Sequence, residues 1–368
     1  MGFVPKPYQS ILGCLPLFLG AALLQIVFAP QPFFEFGADS SLRSLSVLSV
    51  SALSFSSALS ITRTSAQAAS NQSHTCLGFD RNIYPGDAAL SILRKTFVFT
   101  SYWLSPPPGE KLNTWKGKRE LLVSHGFGFL VLYRGRDSSE LKTETDAKGK
   151  GIKDATAAVA AAKEEGFAAG TIIFLDIEEG GRLPVTYHLY LRAWSEELKR
   201  AAFLPGVYCS GIPVKEEAAV TITTAEDIHS QAPPNEVVIW AYNDACPPSP
   251  GCAFPENPPA PSTSGISYAA VWQFAQSPRR RKFTARCPAK YAPDGNCYAP
   301  NDSEHKWFLD VNTATSADPS GGANETLPEN KKRRICTRLL PILSWRRLDL
   351  RQPAVDGDLR AGDKGRIL

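Results

Sequence analysis

The 368-residue chain has only five histidines, and His125, His188 and His229 fall in helical or loop stretches, so no metal centre built on imidazole is expected. No Gly-rich phosphate loop follows the first apolar run, which argues against the nucleotide-binding open α/β sheets. No cysteine spacing suits zinc, and no cofactor is expected. An excess of positive charge is also missing where it would matter. The net charge of +4 arises in the last stretch, because residues 331–368 carry eleven Lys or Arg against four Asp, or +7, leaving −3 for everything before them. The main body therefore lacks the basic surface of a nucleic-acid binder.

The N-terminus holds an uncharged apolar run from Ile11 to Ala29, a length that suits either a signal peptide or a membrane tether. Residues 1–30 are read as that leader and the Ser/Ala-rich residues 31–75 as a linker, with 318–368 as a polar, then basic, flexible tail. Eight cysteines fit export to an oxidising compartment: secretion, a periplasm or an envelope anchor. Cys246 and Cys252 bracket one short proline-containing loop, and Cys287 and Cys297 bracket another. Two local disulfides are the favoured pairing, although four cysteines allow three. Cys76, Cys209 and Cys336 show no evident partner, and Cys209 suits a small buried apolar role.

Between Cys76 and residue 317, eight short apolar runs alternate with helical patterns: CLGF, FVFTSYWL, GFLVLY, TIIFLDI, PGVYCS, VVIWAY, AVWQFA and WFLDV. The number and alternation predict an α/β fold, a (β/α)₈ barrel with parallel strands. Helices are expected over Asp87–Lys95, Trp115–His125, Lys153–Glu165 and Thr186–Ala202, the third capped by Asp154. The second half has long loops carrying the paired cysteines in place of clean helices.

Acids recur where strands end. Asp176 and Glu178 close the fourth run, two positions apart and so on one side of an extended chain, roughly 6.6 Å apart. Asp80 closes the first run, and Asp310 with Asn312 lies in the eighth, which neighbours the first in a closed barrel. A single acid after a strand is ordinarily a loop residue or a helix cap. The recurrence at three strand ends marks a site at the top face of the barrel. Crowded carboxylates suit glycoside hydrolysis, in which one carboxyl must stay protonated while another meets developing positive charge. Tyr102, Tyr133, Tyr208, Trp240, Tyr242 and Trp272 lie near the same ends and could stack on sugar rings, with Gln273 beside them.

Taken in order, Gly78-Phe79-Asp80, IIFLDIE, PGVYCS, VVIWAY, VWQF and LDVN resemble the glycoside-hydrolase-like barrel domain of exported bacterial proteins. That domain of unknown function is similar to the family 25 lysozymes, which cleave the glycan of peptidoglycan. The resemblance covers Cys76 to about Thr315. It implies Glu178 as general acid, Asp176 assisting at the anomeric centre, Asp80 and Asp310 as supporting carboxylates, and a cell-wall polysaccharide as partner. The lysozymes usually have a small polar segment after the first-strand Asp. Here Arg81 follows, and its guanidinium is expected to hold Asp80 ionised. A barrel that binds glycan without cleaving it fits the same residues, and a metal-dependent phosphodiesterase barrel lacks placeable ligands.

Overall fold

A computed structural model describes residues 75–323, except 218–219, 232–235, 256 and 288–289. The expected leader, all but the end of the linker, and the basic stretch lie outside the described residues. Within them no helix is long and apolar enough to cross a membrane.

The strands are β1 (Cys76–Asp80), β2 (Phe99–Trp103), β3 (Gly128–Arg134), β4 (Ile172–Asp176), β5 (Leu204–Ser210), β6 (Val214–Lys215), β7 (Thr221–Ile222), β8 (Val238–Tyr242), β9 (Val271–Ala275), β10 (Cys297–Tyr298) and β11 (Phe308–Ala314). Eight of them close a barrel in the order β1-β2-β3-β4-β5-β8-β9-β11, with β11 returning to β1. The helices are α1 (Asp87–Leu93), α2 (Arg119–Ser124), α3 (Glu144–Glu164), α4 (Val185–Arg200), α5 (Thr224–Gln231) and α6 (Arg281–Thr284).

Small residues opposite large ones fill the barrel. A Cβ on Gly78 would lie 2.0 Å from the Phe99 ring, and one on Gly206 would lie 2.6 Å from that of Phe174. Glycine on β1 and β5 is therefore what lets these rings occupy the interior. Outside, α3 packs on α4 through small side chains. Gly151 sits so close that a Cβ would approach the Tyr190 carbonyl oxygen to 2.4 Å. Gly149 and Gly151 weaken the helical signal at the start of α3, which begins about ten residues before the expected point, capped by Thr143 Oγ1 accepting from the Asp146 N–H at 3.2 Å. Asp154 is no cap. It is buried in mid-helix, where Arg136 Nη2 donates to it at 2.8 Å and the Tyr190 hydroxyl at 3.1 Å.

Three further expectations are corrected. The barrel is not wholly parallel, because β11 runs antiparallel to both β1 and β9. A parallel crossover must carry the chain back down the outside of the barrel. Among the described residues the only helix between β9 and β11, α6, has four residues and a rise of about 6 Å, too short to do so. The chain stays at the top rim and descends as β11.

The disulfides join Cys246 to Cys287 and Cys252 to Cys297, each with Cα atoms 5.3 Å apart. The two proline-containing loops lie against each other and are linked crosswise, so neither closes on itself. Cys76 is also disulfide-bonded, and Cys209 is a buried free thiol. Finally, residues 318–323, placed in the tail by their polarity, belong to the barrel floor. Asp318 Oδ1 accepts from the Phe129 N–H at 2.9 Å, and Ser320 joins its main chain to Phe129 and Ile172.

Candidate functional site

Alternation along each strand decides which side chains enter the barrel. On β1, Gly78 and Asp80 face in. On β11 the inward residues are Asp310 and Asn312, and the register sets Asp80 opposite Asp310 and Gly78 opposite Asn312. Asp310 stands near the start of its strand, so only the antiparallel direction of β11 brings it to the rim where β1 ends. A parallel β11 would have placed it at the floor.

A hydrogen-bonded tier lies just below that rim. Asp80 Oδ1 accepts from Asn312 Nδ2 at 2.6 Å and from Gln273 Nε2 at 2.9 Å. Asn312 Oδ1 in turn accepts from Trp240 Nε1 at 2.9 Å, and Gln273 Oε1 accepts from the Tyr208 hydroxyl at 2.9 Å. Each amide thus donates to the carboxylate with its nitrogen and is fixed by an aromatic donor at its oxygen. This arrangement orients Asp80 without a countercharge.

Burial dominates the electrostatics. Desolvation raises Asp80 to about 6 despite its two amide donors. Asp176, also buried, is pushed well above the usual carboxylate range by desolvation, then by the charges of Glu178 and Asp80, with Arg134 opposing. Asp310 moves the same way through desolvation and Asp80, while the Ser277 N–H donates to it and opposes the shift. The Arg81 expectation fails on direction. Its guanidinium lies 5.1 Å over the Phe308 ring and its charge acts on Asp310, whereas burial raises Asp80 to about 6 with no contribution from Arg81.

β4 ends at Asp176, so Glu178 stands two residues beyond the strand, exposed at the mouth, yet close enough for its charge to act on Asp176. The Tyr242 hydroxyl donates to the Glu178 carbonyl at 3.3 Å and ties this segment to β8. Glu179 has turned away. Its side chain accepts from the Ser138 N–H and its carbonyl from Thr224 Oγ1, a loop-fixing role.

Tyr208, Trp240, Tyr242, Gln273 and Asn312 therefore gather around the four acids. Three other aromatic candidates do not. Tyr102 is buried on the outer face of β2, its hydroxyl bonded to Glu165 and its ring against Phe129 and Phe167. Tyr133 packs on Trp194 of α4, and Trp272 is buried outside β9 with Nε1 donating to the Asn243 carbonyl. All three fill the layer between barrel and helices.

Asp244, Arg280 and Arg134 were not anticipated. Asp244 follows β8 as Glu178 follows β4, so the strand-end rule could have found it. It is fully buried, neither carboxylate oxygen accepts a hydrogen bond from another described residue, and burial raises it. Arg280, 4.6 Å over the Tyr242 ring, opposes the shifts of Asp244 and Asp310. Nothing in the local pattern of PRRRK singles it out. Arg134 pairs in register with Asp176 and lies just past the apolar run GFLVLY, as the last residue of β3.

The fold and the rim together define a closed α/β barrel that gathers carboxylates from several strands at one end. Residues 112–253, less than half of the chain, match the Rv2525c-like, glycoside hydrolase-like domain. Among solved structures, an uncharacterized protein of B. stearothermophilus is similar at 20% identity and a TM-score of 0.42, over 65% of this chain and 95% of that one. The Tat-secreted protein Rv2525c of Mycobacterium tuberculosis shows 15% identity and a TM-score of 0.38, over 65% and 94%. A bacterial lysozyme from Streptomyces coelicolor shows 10% identity and a TM-score of 0.35, over 72% and 98%. No curated protein matches the chain.

Proposed function

We propose that this protein acts on a cell-wall glycan of peptidoglycan type by carboxylate acid catalysis, outside the cytoplasm. The observation that carries the reading is the two-tier rim, with Asp80, Asp176 and Asp310 shifted towards their protonated forms beneath an exposed Glu178. Glycoside cleavage needs a proton delivered to the leaving oxygen and a second carboxyl group near the anomeric carbon. Glu178 is the member that a polymer lying across the mouth would meet first, and it takes the role of general acid. Asp176 sits behind it to assist at the anomeric centre, and Asp80 and Asp310 support the pair. The half-buried Tyr208 and the amide tier supply positions for sugar hydroxyls. The disulfides support export, because such bonds persist in oxidising surroundings. Residues 11–29 would direct it, as a cleaved signal or as a tether.

A second reading has its own support. Asp80 Oδ1 is engaged by two amides that are themselves fixed, an arrangement able to hold a polar ligand without turnover. The protein would then be an envelope-associated glycan-binding module.

Incubation of the full chain with purified peptidoglycan separates the two. Glu178→Gln keeps shape and removes the transferable proton, so release of soluble fragments should fall about 10²-fold or more while glycan binding persists. Binding by both forms with no product from either would favour the module.

A further inference from the structure

Beyond the carboxylate rim, the loop that follows β9 lines an open cavity of about 530 Å³ with Arg279, Arg281, Lys290, Tyr291 and Asp294 among others. We infer that this cavity is an oxyanion-binding subsite that receives an acidic substituent, a carboxylate or phosphate, of the glycan bound at the rim. The glycan as carrier rests on the function proposed above. Anion binding itself does not.

Charge is the first observation. Three cations face one acid, and that acid is already occupied. The carboxylate of Asp294 accepts from the Tyr298 hydroxyl at 2.6 Å and from the Asn296 main-chain and side-chain N–H groups at 3.0 Å each. None of the three cations forms an ion pair among the described residues.

An unmet donor is the second. Arg279 Nε is buried and has no acceptor among the described residues, although a guanidinium hydrogen is among the strongest donors available. Leaving such a donor unpaired costs stability, which an incoming oxyanion would recover.

Rigidity is the third. The Arg279 N–H donates to the Gly295 carbonyl, Cys287 in the cavity wall is bonded to Cys246, and Cys297 just past it is bonded to Cys252. The backbone carrying Arg279 is therefore braced before a ligand arrives, and less ordering of the loop remains to oppose binding.

Position links the cavity to the rim. Ser277, whose N–H donates to Asp310, immediately precedes the cavity residues Pro278 and Arg279. Tyr291, in the cavity wall, has its hydroxyl pushed up by burial and then by the charges of Asp244 and Asp310. A glycan crossing the rim at Asp310 would bring a substituent to these arginines.

The test uses the full chain, with inorganic phosphate as the first probe and paired acidic and carboxyl-reduced glycan oligomers as the second. Arg281 is exposed, so Arg281→Gln leaves the fold alone. The Arg279→Gln/Arg281→Gln double variant removes the pair, and Arg279→Lys/Arg281→Lys keeps the charge. Calorimetry should show saturable phosphate binding by the wild type, weakening with salt, about tenfold weaker or more in the Gln double variant and partly restored in the Lys pair. The wild type should prefer the acidic oligomer, and the Gln variants should lose that preference. Equal phosphate affinity in wild type and Gln variants, or no saturation in either, overturns the subsite. Phosphate binding with no preference between the oligomers overturns its assignment to a glycan substituent. Neither result bears on Glu178, whose substitution is judged by fragment release.

Discussion

The two halves of the barrel are stabilised differently. From β1 to β5 each strand is followed by a helix that returns the chain to the floor, and α3 and α4 bury a shared small-residue seam. From β8 onward α6 has four residues, and two disulfides spanning 41 and 45 residues hold the loops. Helix packing braces the first half, and the two crosswise disulfides add covalent closure to the second. The candidate site lies where they meet, since Asp80 and Asp176 come from the packed half while Asp310, Asn312 and Gln273 come from the cross-linked one.

The largest expected effect breaks the second half alone. Closing loops of this length restricts the unfolded chain by about 4 kcal/mol each. Cys252→Ser/Cys297→Ser should lower stability in chemical denaturation by about 3 kcal/mol, with α3 and α4 retaining their amide protection until the main transition. A loss below about 1 kcal/mol would show that packing already holds the loops.

In the packed half, Gly151→Ala forces a Cβ towards the Tyr190 carbonyl. It should cost about 1–3 kcal/mol by separating α3 from α4. A stabilised variant, as helix propensity alone would give, would mean that the seam yields easily.

At the junction, Asp80→Asn should raise stability. Asp80 titrates at about 6 in the folded chain against 3.8 when exposed, so the folded state holds a proton that the unfolded state has released between those values. The stabilisation from this group is present below pH 4 and lost as pH rises through 6. Asparagine can still accept from Gln273 and Asn312 through its oxygen, without a buried charge. The variant should therefore gain about 2 kcal/mol at pH 7 and nothing at pH 4, as read from denaturant midpoints at both pH values.

The smallest effect separates inner from outer faces. Tyr102→Phe removes a hydroxyl bonded to Glu165 in the helix layer, so it should cost about 1 kcal/mol and leave glycan affinity unchanged. Tyr208→Phe, which deprives Gln273 Oε1 of one of its two donors, should weaken glycan binding.

The same division decided how much could be read in advance. Strand ends were legible because apolar runs stop abruptly at Asp80 and Asp176. Face assignment on β2, β3 and β9 was not, because strands covered on both sides lack the polar alternation that would separate Tyr102, Tyr133 and Trp272 from inward residues. Strand direction is also absent from an apolar pattern, and the antiparallel course of β11 became visible only from the short α6. Cysteine spacing records the lengths of loops but not which loops are neighbours, so the local pairing was preferred over the crosswise one that formed. Asp244 went unnoticed although the rule applied to Asp176 and Glu178 reached it equally well.

The claim that the rim is one crowded, buried group of carboxyls is open to direct titration. Carbon-13 NMR of aspartate side-chain carboxyls in the full chain, followed from pH 3 to 8, should give Asp80 a midpoint near 6, with Asp176 and Asp310 also well above ordinary aspartates. Replacing Asp80 by Asn should lower the midpoints of the other two, since its charge contributes to both shifts. If all three titrate near 4 and independently, the acids do not share a pocket and the account of the site is wrong.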